Sequence, residues 1–254
     1  AGLIKLGDKA GLTAVPRKTI EGLKIGGYDK HTKRDSDVLT AEEIGRIIDA
    51  AKSAKYKAFL GVLYECGARS IELSRLQWKD IKVEQWGCLV SLKDYKAGSS
   101  PKVRVVPVVT YAKYLHDWRS QYSAGTPSGD SLVFVTPTGK PFQYRGVLKA
   151  VNMFCQKAGI DRKITLHLFR HSRITHCLQS GMSETLCKKC FWGNESTGMI
   201  EVYSHLTSAD LQNSYLQMAG VQVPDEHANT APQPVQCPVC LKVMPPNSRF
   251  CSQC

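Results

Sequence analysis

Two hydrophobic periods alternate along the chain. Thr40-Ala-Glu-Glu43 opens the first regular stretch as a capping box, in which Thr40 caps and Glu43 reaches back. Ile44, Ile47 and Ile48 then form one apolar helical face. A second apolar helix is predicted from about Tyr56 to Cys66, stopped by Gly67, and a short third from Ser70 to about Trp78. There the period falls to two. Cys88–Leu92 and Val103–Val109 read as strands, joined by a polar connection bearing Gly, Ser and Pro. Helix returns from about Tyr111 to Gln121. A short strand at Leu132–Val135 follows, then a helix from about Tyr144 to Ala158 that stops at Gly159. Beyond residue 164 the pattern is helical throughout. One helix covers about His167–Gln179, and the next starts at the N-cap candidate Ser183. A third contains Met199, Val202, Tyr203 and Leu206, and a fourth runs from Ser208 through Tyr215 to Gly220. The expected class is α+β, mainly α-helical, with a small antiparallel sheet.

The flanks differ in character. Residues 1–36 are basic and poorly periodic, and read as a surface segment or short helices ending in a linker. From Val221 the run VQVPDEHANTAPQPVQ is polar and Pro-rich, so residues 222–236 read as a second linker. Lys and Arg number 34 against 22 acidic residues, a net charge of +12. Such a surplus favours a polyanionic partner, nucleic acid before an anionic membrane surface. No stretch approaches the roughly 18 apolar residues of a membrane span. The N-terminal AGLIKLGDKAGL lacks the apolar run of a secretory signal. Of 10 cysteines, Cys66, Cys88, Cys155, Cys177, Cys187 and Cys190 are scattered in apolar settings, as reduced core thiols of a cytosolic protein would be. Cys187-Lys-Lys-Cys190 has metal-ligand spacing but no partner ligands nearby, and reads as packing.

Chemistry concentrates in three short runs. His167-Leu-Phe-Arg170-His171 sits on a helix, where residues three apart share a face. Tyr203 lies in Val202-Tyr203-Ser204-His205-Leu206, and far upstream stands Gly67-Ala68-Arg69-Ser70-Ile71-Glu72-Leu73. Taken together, in this order and at this spacing, they resemble the tyrosine recombinase (integrase) family. The family's Gly-x-Arg-x-x-Glu-Leu turn is matched by Gly67, Arg69, Glu72 and Leu73, and its His-x-x-Arg-His box by His167, Arg170 and His171. Its nucleophilic tyrosine, often followed by His-Leu, is matched by Tyr203, His205 and Leu206. The likeness covers about residues 37–220.

The resemblance implies breaking and rejoining of double-stranded DNA through a 3′-phosphotyrosine intermediate, and the residue types suit that chemistry. Attack on a phosphodiester adds charge to its non-bridging oxygens. The forked donors of Arg69 and Arg170 can grip those oxygens, and arginine keeps its proton throughout. An unperturbed tyrosine has a pKa of about 10, so ionising it at neutral pH costs roughly 4 kcal/mol. His167 is the implied base or positioning residue, and nearby cations reduce the cost further. The family also places a lysine between two strands to protonate the leaving 5′ oxygen. Lys96, which precedes a glycine at the expected hairpin tip, is preferred to Lys102. Where the family often has Leu-Gly-His, this chain reads Phe191-Trp192-Gly193-Asn194. Ungapped, Asn194 takes the histidine position, where its amide can donate but carry no proton; shifted, Trp192 would donate through its indole. The resemblance implies no cofactor for catalysis and a homo-oligomer, a tetramer, assembled on DNA. A catalytically degenerate DNA-binding protein is the alternative.

The last residues carry a separate signal. Cys237-Pro-Val-Cys240 and Cys251-Ser-Gln-Cys254 form C-x₂-C-x₁₀-C-x₂-C. That spacing suits tetrahedral zinc, and residues 237–254 are too few to form a core without metal. The expectation is a structural zinc ribbon, similar in placement to those of archaeal integrases. The expected organisation is therefore a basic segment (1–36), a catalytic domain (37–221), a linker (222–236) and the ribbon (237–254). Residues 1–36 are too short for the N-terminal DNA-clamping domain usual in the family, so the chain reads as a fragment or a shortened variant. Its expected location is cytoplasmic and DNA-associated.

Overall fold

A computed structural model describes residues 38–94, 102–200, 231–240, 242–246, 248–251 and 253–254. The first regular element, α1 (Ala41–Ala50), starts at the expected capping box: Thr40 Oγ1 accepts from Glu43 N at 3.1 Å, and Glu43 Oε2 from Thr40 N at 2.9 Å. Its buried face is Ile44, Ile47 and Ile48. Helix α2 (Ala54–Glu65) is buried continuously from Ala58 onward, as befits the central rod of the core. It ends in a turn through Cys66 and Gly67 that leads into the short α3 (Ser70–Ser74). The sequence favours a helix to Trp78. The chain instead leaves the helix at Arg75, and Asp80 accepts from Gln77 N to start a 3₁₀ turn at Trp78–Asp80.

The sheet has three antiparallel strands among the described residues, in the order β1 (Ile81–Glu84), β2 (Gly87–Asp94) and β3 (Lys102–Val108). Strand β1 is absent from the sequence reading because Ile-Lys-Val-Glu is short and half polar. It forms because its backbone completes the edge of β2 in the register Ile81↔Val90 to Glu84↔Gly87. The expected strand at Leu132–Val135 is corrected. Only isolated bridges form there, Gln77↔Leu132 and Val135↔Pro141. Side chains take the carbonyls a partner strand would have used: Tyr122 Oη bonds Leu132 O, Trp118 Nε1 bonds Val133 O and Lys55 Nζ bonds Val135 O.

Helices α4 (Ala112–Ser120), α5 (Tyr144–Lys157), α6 (Leu166–Gln179) and α7 (Glu184–Trp192) follow, and α2 packs against α1, α4 and α6. Ser183 caps α7, as expected. The β3–α4 turn is fixed from below by a buried carboxylate. Glu65 accepts backbone N–H bonds from Val109, Thr110 and Tyr111 at 2.8, 2.8 and 3.0 Å. Cys187 is fully buried in a small cluster with Ile174, Cys177 and Phe191, so the Cys187–Cys190 pair packs. Two-residue strands β4 (Val235–Gln236) and β5 (Val243–Met244) pair antiparallel around the first cysteine pair. No helix among the described residues is long and apolar enough to cross a membrane.

Candidate active site

The site begins at the turn between α2 and α3. Gly67 adopts φ +51°, and a Cβ built there would lie 2.7 Å from the Phe191 ring. Only glycine fits both the backbone and the space. The turn aims two consecutive carbonyls, Cys66 O and Gly67 O, toward the end of α7. It also places Arg69 at the N-cap of α3, in extended conformation.

Arg69 is held by carboxylates. Glu72, only 2% exposed, accepts from Arg69 N at 2.7 Å and from Arg69 Nη1 at 3.1 Å. Asp94, the last residue of β2, lies 3.5 Å from the same nitrogen. A quarter of the Arg69 side chain remains exposed, so the guanidinium reaches solvent while its base is fixed. A surface ion pair with Glu72 is thereby excluded: the carboxylate is buried and shared.

Arg170, on α6, is 2% exposed. Its Nη1 donates to Gly67 O, and its Nη2 to Phe191 O at 2.7 Å. Its guanidinium carbon stands 5.2 Å from the centre of the Trp192 ring, a cation–π distance. The arginines of two boxes about a hundred residues apart thus meet at one turn. His167 is exposed at the outer end of α6, and its ring packs edge-on against His171 at 4.4 Å between centroids. Asn194 is committed locally, since its Oδ1 accepts from Ser196 N at 2.9 Å and Ser196 Oγ at 2.7 Å. Those bonds engage the amide oxygen of Asn194, while Trp192 meets Arg170 through its ring face. Lys102 opens β3 and pairs in register with Asp94. Lys96, Tyr203 and Tyr215, the next tyrosine along the chain and so the alternative nucleophile, lie outside the described residues.

The sequence reading missed Arg104. It sits on β3, 6% exposed, with Nη2 2.8 Å from Glu72 Oε2. Its Nη1 donates to Cys66 O at 3.1 Å and to Cys190 O at 2.9 Å. The signal was available: period-two alternation puts Arg104 on the inward face with Val106 and Val108, a place where an unpaired charge is costly.

At the C-terminus the four cysteine sulfurs of Cys237, Cys240, Cys251 and Cys254 lie within 4.8 Å of one another. Cys237–Cys254 and Cys240–Cys251 approach to 3.5 Å. That is far beyond a disulfide bond of about 2.05 Å. It is near the roughly 3.8 Å that tetrahedral zinc with bonds of about 2.3 Å would set. Backbone N–H groups of Cys254 and Gln253 point at Cys251 and lower its thiol pKa to about 6. The donor set fits a structural zinc ion.

Helices around a small antiparallel sheet, with two distant arginines converging on one turn, define the fold class of the tyrosine recombinases. The sequence pattern of the phage integrase family matches residues 37–210, and the chain belongs to that family. A XerC tyrosine recombinase of Xanthomonas axonopodis pv. citri (strain 306) is 29% identical over 196 residues, covering 73% of this chain and 59% of the relative. A XerD tyrosine recombinase of Staphylococcus haemolyticus (strain JCSC1435) is 26% identical over 198 residues, 74% of this chain and 64% of the relative. The chain thus spans about three fifths of the length of these curated relatives. Among solved structures, the XerA recombinase matches with a TM-score of 0.58 and 24% identity, covering 71% of this chain and 65% of that one. The XerH site-specific recombinase bound to its palindromic difH substrate matches with a TM-score of 0.55 and 20% identity, covering 72% and 53%. These likenesses show the shared fold.

Proposed function

We propose that this chain is the catalytic part of a site-specific DNA recombinase that breaks and rejoins double-stranded DNA through Tyr203. The observation that carries the reading is the meeting of Arg69 and Arg170 at the Gly67 turn. Two cations brought to one turn suit a phosphate whose charge grows during attack, Arg69 reaching it through the quarter of its side chain left exposed and Arg170 adding its charge from the buried side. In the proposed reaction the Tyr203 oxygen attacks the scissile phosphorus as its proton leaves, aided by His167. A 3′-phosphotyrosine forms, the 5′ oxygen departs, and Lys96 supplies its proton. Reversal with a new 5′ hydroxyl reseals the strand, and the phosphotyrosine conserves the bond energy. Asp94, which touches Arg69, has a lysine on either side, Lys96 two residues on and Lys102 opposite it in register, and Lys96 is preferred for its place before the expected hairpin tip. Lys102 is the rival for that role. At the family's histidine position the candidate donors are the amide nitrogen of Asn194, whose oxygen accepts from Ser196, and the indole of Trp192, whose ring faces Arg170.

The proposal takes residues 37–221 as the catalytic domain, preceded by the basic segment 1–36 and followed by the linker 222–236. The ribbon at 237–254 holds one structural zinc, and the archaeal-type resemblance rests on that ribbon alone. The chain acts in the cytoplasm, and assembles on DNA as a homo-oligomer, a tetramer, as integration, excision or resolution requires. The test is covalent capture from a pool of nicked duplexes of random sequence, read as retarded DNA on a denaturing gel. The unaltered chain forms an adduct, and Tyr203→Phe abolishes it while keeping the ring and the fold. An adduct that survives Tyr203→Phe and vanishes with Tyr215→Phe sinks the assignment. No adduct with any form of the chain supports the catalytically degenerate alternative instead.

A further inference from the structure

Arg104 and Arg170 form two parallel rungs. Arg104 bridges Cys66 O and Cys190 O; Arg170 bridges the next carbonyl on each side, Gly67 O and Phe191 O. One rail is the turn that delivers Arg69. The other is the C-terminal end of α7, where backbone carbonyls lack helical partners and attract cations. Trp192 and Asn194 follow directly from that end. Two buried guanidiniums therefore set the spacing between the phosphate-gripping turn and the chain that runs on toward Tyr203.

The rungs differ in one respect. Arg170 faces Trp192, whereas Arg104 faces Glu72, and Glu72 Oε2 is shared with the backbone N–H of Arg69. Arg104 also belongs to β3, the strand entered after the segment holding Lys96. It thus ties together the β3 hairpin, the Arg69 turn and α7. A guanidinium is the one side chain with enough forked donors to reach a carboxylate and two carbonyls at once. A lysine keeps the charge but not the fork.

We infer that Arg104 is a positioning residue for DNA cleavage: it acts through Glu72 to hold Arg69, and through Cys190 O to hold the end of α7, without touching the phosphate itself. The inference rests on the recombinase reading above. The test measures single-turnover adduct formation, DNA affinity and thermal unfolding for the unaltered chain, Arg104→Lys, Arg69→Lys and the double variant. The substrate is the nicked duplex captured by the unaltered chain. Arg104→Lys is expected to stay folded, to bind that duplex within about threefold, and to form adduct at least about tenfold more slowly. If Arg104 works through Arg69, adding Arg69→Lys to Arg104→Lys slows the reaction far less than it does alone, since contacting residues are non-additive. Losses that simply multiply, an unchanged rate, or loss of the folded state in Arg104→Lys would each overturn the inference, the last by assigning Arg104 to stability alone. An unaltered chain that forms no adduct removes the recombinase reading and this inference with it. Adduct in the unaltered chain with an indifferent Arg104→Lys removes the inference only.

Discussion

At Gly67 the backbone turns with φ +51°, and the Phe191 ring fills the space beside its Cα. Gly67→Ala strains the backbone and pushes that ring off the turn, so we expect a stability loss of about 1–3 kcal/mol. Because Gly67 O is an anchor of Arg170, adduct formation should fall as well. Urea unfolding and the capture assay read both effects, and a variant matching the parent in each would contradict this account of the turn. The same residues explain what was legible. Gly67, Arg69, Glu72, Leu73, His167 and Arg170 stand at fixed spacings within short local elements, so the order of residues exposes them. Arg104 and the contact of Trp192 with Arg170 depend on elements brought together over long separations. Local spacing carries no direct record of such contacts, though a charge at an inward strand position was a clue.

Helix α6 carries the second box on one side and a buried polar group on the other. His176 Nδ1 lies 2.7 Å from Tyr64 Oη, and burial, reinforced by the Arg173 charge, lowers the His176 pKa to about 4. An unfolded histidine titrates near 6.5. The folded pKa is the depressed one, so this contribution is complete above about 6.5. It is lost as pH falls toward 4, by roughly 3 kcal/mol. Urea midpoints measured across that window should fall steeply for the parent and less for His176→Gln; identical slopes would contradict the assignment. Helices with strong caps or apolar faces, such as α1, α2 and α5, were readable because local signals sufficed. Strand β1 and the irregular run at 132–135 were not, since partners elsewhere in the chain decide whether short apolar runs become strands. The ribbon is a further element-level case. Its four sulfurs suit one tetrahedral ion, so metal analysis of reduced protein should find about one zinc per chain. Reduced protein without bound zinc would contradict that reading.

Over the whole molecule, a net charge of +12 fits a polyanionic partner, and the family match runs through residues 37–210. Each box alone was weak; their order and spacing over nearly the full domain made the fold readable from the sequence. Between Lys96 and Lys102 the sequence offers only the glycine at the expected hairpin tip, which favours Lys96, because two lysines flank one hairpin and the motif spacing does not separate them. The account stands on one bond, between Tyr203 and a DNA 3′ phosphate. The direct measurement is mass spectrometry of the captured adduct after nuclease and protease digestion. The account predicts a nucleotide remnant on the tyrosine of the peptide containing Val202-Tyr203-Ser204. A remnant on Tyr215, or on any other residue, would contradict it.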